Sequence, residues 1–314
     1  MSVSKFKRVP LRGSALFKLT STRRLAEILL VPRELIDRWA APGDSNYLIR
    51  QDRKSGRTIE EPKPQLKLLH KRFARLLSQI ETPDYLHSGV KGRSYLTNAD
   101  AHAADQPSVK LDIKKFFPSS SSHYVHRFFA DVLEYPPDVA FKITRILTCA
   151  MHLPTGGNAS TLLSFWAYKP MFDEIAELAK RHGSAFTLYV DDMTITGIFA
   201  NRTCQREARN IISRYGLLAH KAKVFSAGQP RVVTGVAKTR RGRELPHRRA
   251  KGIALLERAE TATASLPEKE QLLASLIGKL SEATVVDSSW MGRKDAAVKR
   301  RRNLSTAIVR SVQK

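Results

Sequence analysis

The chain is poor in cysteine, in acidic residues and in long apolar runs, and each shortage removes a class of protein. Cys149 and Cys204 are the only cysteines in 314 residues, too few for a disulfide scaffold or a cysteine-built zinc site. No run of about 18 apolar residues occurs, so no segment reads as a membrane-spanning helix. The start, MSVSKFKRVPLRGSALFKL, is basic but lacks the apolar stretch of a signal peptide. Internal repeats and long low-complexity linkers are missing too. These absences lead to the expectation of a reduced, cytoplasmic protein.

Acids number 29 against 54 Lys and Arg, a net charge of +25. Hydrophobic residues make up 42% and aromatics 8%, enough for a packed core and too many for a disordered chain. A folded chain with that excess repels itself unless a polyanion neutralises it, so nucleic acid or an anionic membrane is the expected partner. The charge is concentrated. Residues 238–258 carry eight basic residues, Arg240, Arg241, Arg248 and Arg249 among them, against two acids. Residues 288–314 carry eight, including Arg300, Arg301 and Arg302, against one. Two dense segments with so few acids favour phosphate contact over a merely solvated helix face, setting affinity without reading base sequence. Neither has a Trp/Phe/Leu insertion face, so a membrane surface ranks behind nucleic acid.

Residues 23–39 have helical spacing, split by Pro32. Residues 46–61 read as a hairpin turning at Lys54-Ser55-Gly56, and Leu66, Leu69, Phe73, Leu76, Leu77 and Ile80 mark one face of a helix. A Gly-rich stretch, HSGVKGRS (87–94), follows. Val109–Ile113 reads as a strand, 138–150 and 160–182 as helices, 203–216 as a helix and 231–236 as a strand. Everything from about 247 onward reads as helical, which makes an α+β layout.

The sharpest local feature is FTLYVDDMTITG (186–197). Apolar strands flank Asp191-Asp192, which are expected at the tip of a tight hairpin. Adjacent like charges cost ionisation energy unless a cation lies between them. Asp112, near the end of the Val109–Ile113 strand and 79 residues earlier, supplies the third carboxylate of a two-metal site. Two Mg²⁺ ions about 3.5–4 Å apart would serve phosphoryl transfer at a nucleotide.

This constellation resembles the reverse transcriptases. Asp112 matches their first catalytic strand, Tyr189-Val190-Asp191-Asp192 their second, and LPTGGNAS (153–160) their Leu-Pro-Gln-Gly segment. Asn98-Ala99-Asp100-Ala101-His102 resembles the Asn-Ala-x-x-His element of retron reverse transcriptases, and Val233-Thr234-Gly235 their Val-Thr-Gly element. The resemblance implies a right-hand polymerase: an N-terminal helical extension over 1–45, fingers over 46–110 and 118–160, a palm of antiparallel sheet plus helices over 111–117 and 161–240, and a basic helical thumb over 241–314.

The resemblance also implies residue roles. Asp112, Asp191 and Asp192 would be catalytic, and Asp112, Ile113, Asp191 and Asp192 would hold two magnesium ions. Nucleotide contact falls to Arg57 (Lys54 or Lys63 as alternatives), Phe117 as a steric gate against the ribose 2′-OH, Thr155, Gly156, Tyr189, and Lys223 with Lys221 as alternative. Thr155 stands where the family has glutamine, whose reach threonine lacks, and Asn158, Thr161 and Phe165 replace two prolines and an asparagine. RNA contact falls to Asn98, His102, Val233, Thr234, Gly235 and the arginines 240, 241, 248, 249 and 300–302.

What the resemblance implies of function is an RNA-directed DNA polymerase. It would copy a structured retron non-coding RNA into branched multicopy single-stranded DNA, primed from an RNA 2′-OH, in anti-phage defence. Implied partners are that RNA and its DNA product, dNTPs, a toxic effector encoded nearby in a higher-order complex, and host RNase H for RNA trimming, since no nuclease segment is expected in the remaining length. The alternatives are a group II intron-like or diversity-generating enzyme, or a non-catalytic RNA-binding protein on the same scaffold.

Overall fold

The computed structural model describes residues 8–41, 46–53 and 55–312, with side chains given as far as residue 306. Lys54, parts of the expected N-terminal extension, the Arg310 side chain and Lys314 lie outside the described residues. Contacts divide the chain into two units, residues 1–101 with 107–224, and residues 102–106 with 225–314.

The first unit opens with two short helices, α1 (Thr22–Leu29) and α2 (Arg33–Ala40), broken where Pro32 stands. Pro32 is the N-cap of α2, a place where a missing N–H costs nothing. Leu25, Leu29, Ile36 and Trp39 sink into the main core, so this segment is part of the first unit rather than an appendage to it. Strands β1 (Tyr47–Gln51) and β2 (Thr58–Pro62) pair antiparallel, Tyr47 opposite Pro62 and Gln51 opposite Thr58. Helix α3 (Pro64–Leu77) buries Leu66, Leu69, Phe73, Leu76 and Leu77, the stripe expected of its 3.6-residue spacing. Helix α4 (Tyr95–Asp100) starts in a capping box of Ser94 and Thr97.

A four-stranded sheet lies at the centre, in the order β4-β5-β3-β6. Its strands are β3 (Ser108–Ile113), β4 (Ala185–Tyr189), β5 (Asp192–Thr196) and β6 (Ala219–Phe225). β5 runs antiparallel to both neighbours, with Asp112 opposite Asp192 and Tyr189 opposite Asp192. Because side chains alternate along a strand, register sorts the two faces. Val109, Leu111, Ile113, Phe186, Leu188, Met193 and Ile195 enter the core. Ser108, Lys110, Asp112, Thr187, Tyr189, Asp192, Thr194 and Thr196 share the other face. Period two thus brings the first and third carboxylates to one side of the sheet.

Between β3 and β4 come α5 (Phe116–Ser119), α6 (Ser122–Arg127), α7 (Pro137–Leu147), α8 (Ser160–Ala167) and α9 (Lys169–Arg181). The single helix expected over 160–182 is two helices. They part at Tyr168 because Pro170, which has no N–H to donate, sits in the first turn of α9. Helix α10 (Arg202–Arg214), N-capped by the Asn201 side chain, precedes β6.

The second unit holds an antiparallel meander of β7 (Arg231–Val233), β8 (Val236–Thr239) and β9 (Gly242–Glu244), then α11 (His247–Ala262), α12 (Leu266–Val286) and α13 (Met291–Val312). The strand expected at 231–236 is therefore a hairpin turning on Thr234-Gly235. Its residues, expected within the 161–240 palm span, group instead with the C-terminal helices. Buried Arg231 helps to explain that grouping: its guanidinium donates to the main-chain oxygens of Ala103 and Ala104. Leu245, Ile253, Leu273, Leu276, Leu280 and Ala297 give this unit a core of its own. The fold class is α+β, and among the described residues no helix is long and apolar enough to cross a membrane.

Candidate active site

The three carboxylates come together through one register and one turn. Asp112 and Asp192 are direct cross-strand neighbours, and Asp191 lies in the two-residue loop between β4 and β5. The tip is thus Val190-Asp191, not the expected Asp191-Asp192, because Asp192 already pairs with Tyr189 as the first residue of β5. Val190 has φ 61°, and Asp191 is not among the residues of positive φ. A left-handed first residue alone is the pattern of a type II′ turn, which ordinarily has glycine there. For an L-residue with a branched Cβ this backbone costs roughly 1–2 kcal/mol.

The electrostatics follow from the crowding. Burial pushes the Asp191 carboxyl up to about 6, and the charges of Asp112 and Asp192 push the same way. Asp192 is met by Lys110, Nζ to Oδ2 3.1 Å. Asp112 is met by His220, whose Nδ1 lies 3.2 Å from both its carboxylate and its main-chain oxygen, and by Lys221 at 3.8 Å. Nδ1 facing two acceptors must carry the proton. Among the described residues no three His, Cys, Asp or Glu side chains are gathered as ligands of one ion. The donor set nevertheless fits magnesium in kind. Carboxylate oxygens are what that hard cation takes, and mutual repulsion of three acids is relieved by positive charge, here supplied in part by Lys110 and Lys221. Ile113 has a hydrocarbon side chain, buried in the core, so its main-chain oxygen is the only atom it can offer a cation.

Sequence reasoning missed Lys110 and His220. A signal existed for Lys110: two residues before Asp112, it must share that residue's face. Both lysines considered near the palm site are exposed on β6, and Lys221 lies 3.8 Å from the Asp112 carboxylate.

The nucleotide-contact residues fare unevenly. Phe117 is half-buried, stacked on Phe116 with centroids 5.9 Å apart. Tyr189 ends β4 and is half-buried, and Arg57 is exposed beside the β1–β2 turn. Thr155 is committed elsewhere. Its hydroxyl donates to the Thr58 oxygen at 2.9 Å and accepts from the Glu60 N–H at 3.0 Å, so the short side chain fastens its loop to β2. Gly156 donates to the Glu60 oxygen at 3.0 Å, and a Cβ there would meet that oxygen at 2.8 Å. Buried Glu60 completes the junction through His152, 2.8 Å away.

The RNA-contact assignments need the larger correction. Asn98, His102 and Val233 are fully buried, which suits packing and leaves no surface for RNA. Thr234 and Gly235 form the β7–β8 turn, with φ 44° and 83°; a Cβ on Gly235 would meet the Arg249 guanidinium at 2.8 Å. Arg249 pairs with Glu282 at 2.8 Å, Arg300 with buried Glu260 at 3.3 Å and Arg301 with Glu270 at 3.4 Å. Those three tie the second unit together. Arg240, Arg241, Arg248 and Arg302 are exposed.

No family model matches the chain. Curated relatives do. The chain is 31% identical over 144 residues to the retron Se72 reverse transcriptase of Salmonella heidelberg, covering 46% of this chain and 38% of that protein. It is 29% identical over 205 residues to the retron Mx65 reverse transcriptase of Myxococcus xanthus, covering 57% and 47%. With the retron Ec86 reverse transcriptase of Escherichia coli it shares 27% over 203 residues, covering 62% and 63%. The chain spans about half the length of the curated relatives it matches. A solved structure of apo telomerase from Candida tropicalis, truncated from its C-terminal domain, aligns with TM-score 0.44 and 11% identity over 63% of this chain and 54% of that one.

Proposed function

We propose that this chain, similar in sequence to the retron-type reverse transcriptases, is an RNA-directed DNA polymerase that copies part of a cognate structured non-coding RNA into branched multicopy single-stranded DNA from an RNA 2′-OH. The observation that carries the reading is Asp112 in register with Asp192, with Asp191 held in the turn between. Nothing in a binding-only scaffold calls for three acids crowded on the sheet of a strongly basic chain. Asp112, Asp191, Asp192 and the Ile113 carbonyl would hold magnesium, which when bound would activate the attacking hydroxyl and offset charge at the leaving pyrophosphate. Around it, Phe117 excludes a ribose 2′-OH, Arg57 grips the triphosphate, and Lys221 holds a proton for the leaving group. Exposed Arg240, Arg241, Arg248 and Arg302 grip RNA stems by shape and phosphate.

The same reading supplies the setting: a cytoplasmic defence complex of RNA, DNA and enzyme that restrains a toxic effector against phage, with host RNase H trimming the RNA. Expressing the protein with its native upstream DNA and running the extracted nucleic acid on a denaturing gel tests it. A short DNA that shifts on RNase treatment and is absent from Asp191→Asn/Asp192→Asn is the expected result. Synthesis on a primed RNA template without such a DNA would keep the polymerase and discard the retron product. Absence of both would leave the RNA-binding scaffold.

A further inference from the structure

The Gly-rich stretch 87–94 has no role in the reading so far, and its composition suggests a loop that cradles a ligand. Its side chains fasten it to neighbouring parts of the first unit. Arg93 donates to the main-chain oxygens of Pro83 and Leu86, at 2.6 and 2.7 Å, and pairs with Asp84 at 2.7 Å. The His87 ring meets the Thr97 hydroxyl at 2.9 Å, and Ser94 caps α4. Fastened in this way, the segment before Ser88 lies along β4 like a further strand. Leu188 donates to the Tyr85 oxygen at 2.7 Å, and His87 to the Leu188 oxygen at 2.9 Å, with a parallel bridge between Leu86 and Leu188.

At the end of this brace stands Ser88, 3% exposed. Its hydroxyl oxygen accepts the Val190 N–H at 2.9 Å. Val190 is the strained residue of the carboxylate turn, and the N–H at that turn position has no partner in the β4–β5 ladder. An N–H left without a partner there would add its own cost to that of the left-handed backbone. We propose that Ser88 is a positioning residue for nucleotidyl transfer: it holds Val190 in its left-handed conformation and thereby aims Asp191 across the sheet toward Asp112. This rests on the polymerase reading above. Ser88 touches no reacting atom. What it sets is the direction of the carboxylate, and small errors in such a direction are costly to rate.

Primer extension by the full chain on a primed RNA template, run beside Asp191→Asn, separates the two claims. If the wild type makes no DNA, the polymerase reading fails and this proposal with it. If only Asp191→Asn is dead, Ser88→Ala should lose about tenfold or more in kcat while KM for dNTP stays within about twofold. Ser88→Thr, which keeps the hydroxyl, should retain most of the activity. Adding Val190→Gly to Ser88→Ala should recover a good part of the loss, since glycine takes a φ near 61° unaided. Wild-type kcat in Ser88→Ala, or equal losses in the alanine and threonine variants, overturns the proposal. So does fast amide exchange at Val190 in the wild type, a reading that holds even if Ser88→Ala fails to fold.

Discussion

Two of the described hairpins that turn in two residues, β7–β8 and β4–β5, use them differently. The β7–β8 turn places Thr234 and Gly235 at φ 44° and 83°, the doubly left-handed type I′ form, with glycine at the second position as sterics favour. The β4–β5 turn places valine and aspartate at its tip, with a left-handed valine where glycine is the easy choice. The first also holds a β-branched residue, Thr234, at positive φ, but carries no acid at its tip. The second accepts backbone strain and crowded charge, and such concentrations of cost belong to functional sites. Each tip also has a keeper: Arg249, paired with Glu282, over Gly235, and Ser88 beneath Val190.

The comparison can be broken at four points. The largest effect is expected of Asp191→Asn, which should reduce DNA synthesis by about 10³-fold or more in steady-state extension, equivalent to roughly 4 kcal/mol or more of transition-state stabilisation. The same change should stabilise the metal-free protein near neutral pH. Asp191 has a folded-state pKa of about 6, raised from 3.8. The stability linked to its proton is therefore full below its unfolded value and lost as pH rises through about 6. Asparagine resembles the protonated state at every pH. Melting with chelator should show a gain of up to about 2 kcal/mol above pH 7, discounted for partial exposure, that vanishes below about pH 4.

Gly235→Val should act on the other hairpin and in the other sense. It puts a branched Cβ at φ 83° and into the Arg249 guanidinium, a loss of about 3 kcal/mol in thermal unfolding with the carboxylates untouched. Glu282→Gln removes the half-exposed partner of Arg249 and should cost no more than about 1 kcal/mol. The smallest effect belongs to Val190→Gly. Relief of the left-handed valine is nearly offset by glycine's greater freedom in the unfolded chain, leaving a net change of about 0.5 kcal/mol or less in melting. A large destabilisation there would mean that the valine side chain, not the backbone, holds the turn.

Much of the fold could be read beforehand where a pattern is local. The helix break at Pro32, the buried stripe of α3 and the strands bearing Asp112 and Asp192 all follow from spacing of two or 3.6 residues. The misses share a cause. Placing the turn tip at Asp191-Asp192 was off by one residue because only pairing with Tyr189 tells that Asp192 is still strand. Asn98, His102 and Val233 looked like contact residues because a short motif carries no information about burial. Thr155 looked like a weakened nucleotide contact, whereas its hydroxyl is spent on β2, 97 residues earlier at Thr58. Arg300 and Arg301 read as part of a phosphate grip in the sequence, whereas in the fold they pair with Glu260 and Glu270.

The sequence by itself determined the alternation that sends Val109, Leu111, Ile113, Met193 and Ile195 inward and leaves Asp112 and Asp192 on the opposite face. It also determined the basic excess that asks for a polyanion, since charge and period depend on neighbours along the chain. Tertiary structure alone decided which of those charges remain available and what supports the carboxylate turn. Lys110 and Lys221 pair with the acids, Glu residues on α11 and α12 consume several arginines, and Ser88 arrives from 102 residues away to accept one N–H. The reason is physical: hydrogen bonds and ion pairs act over a few ångströms, and only folding decides which residues come that close.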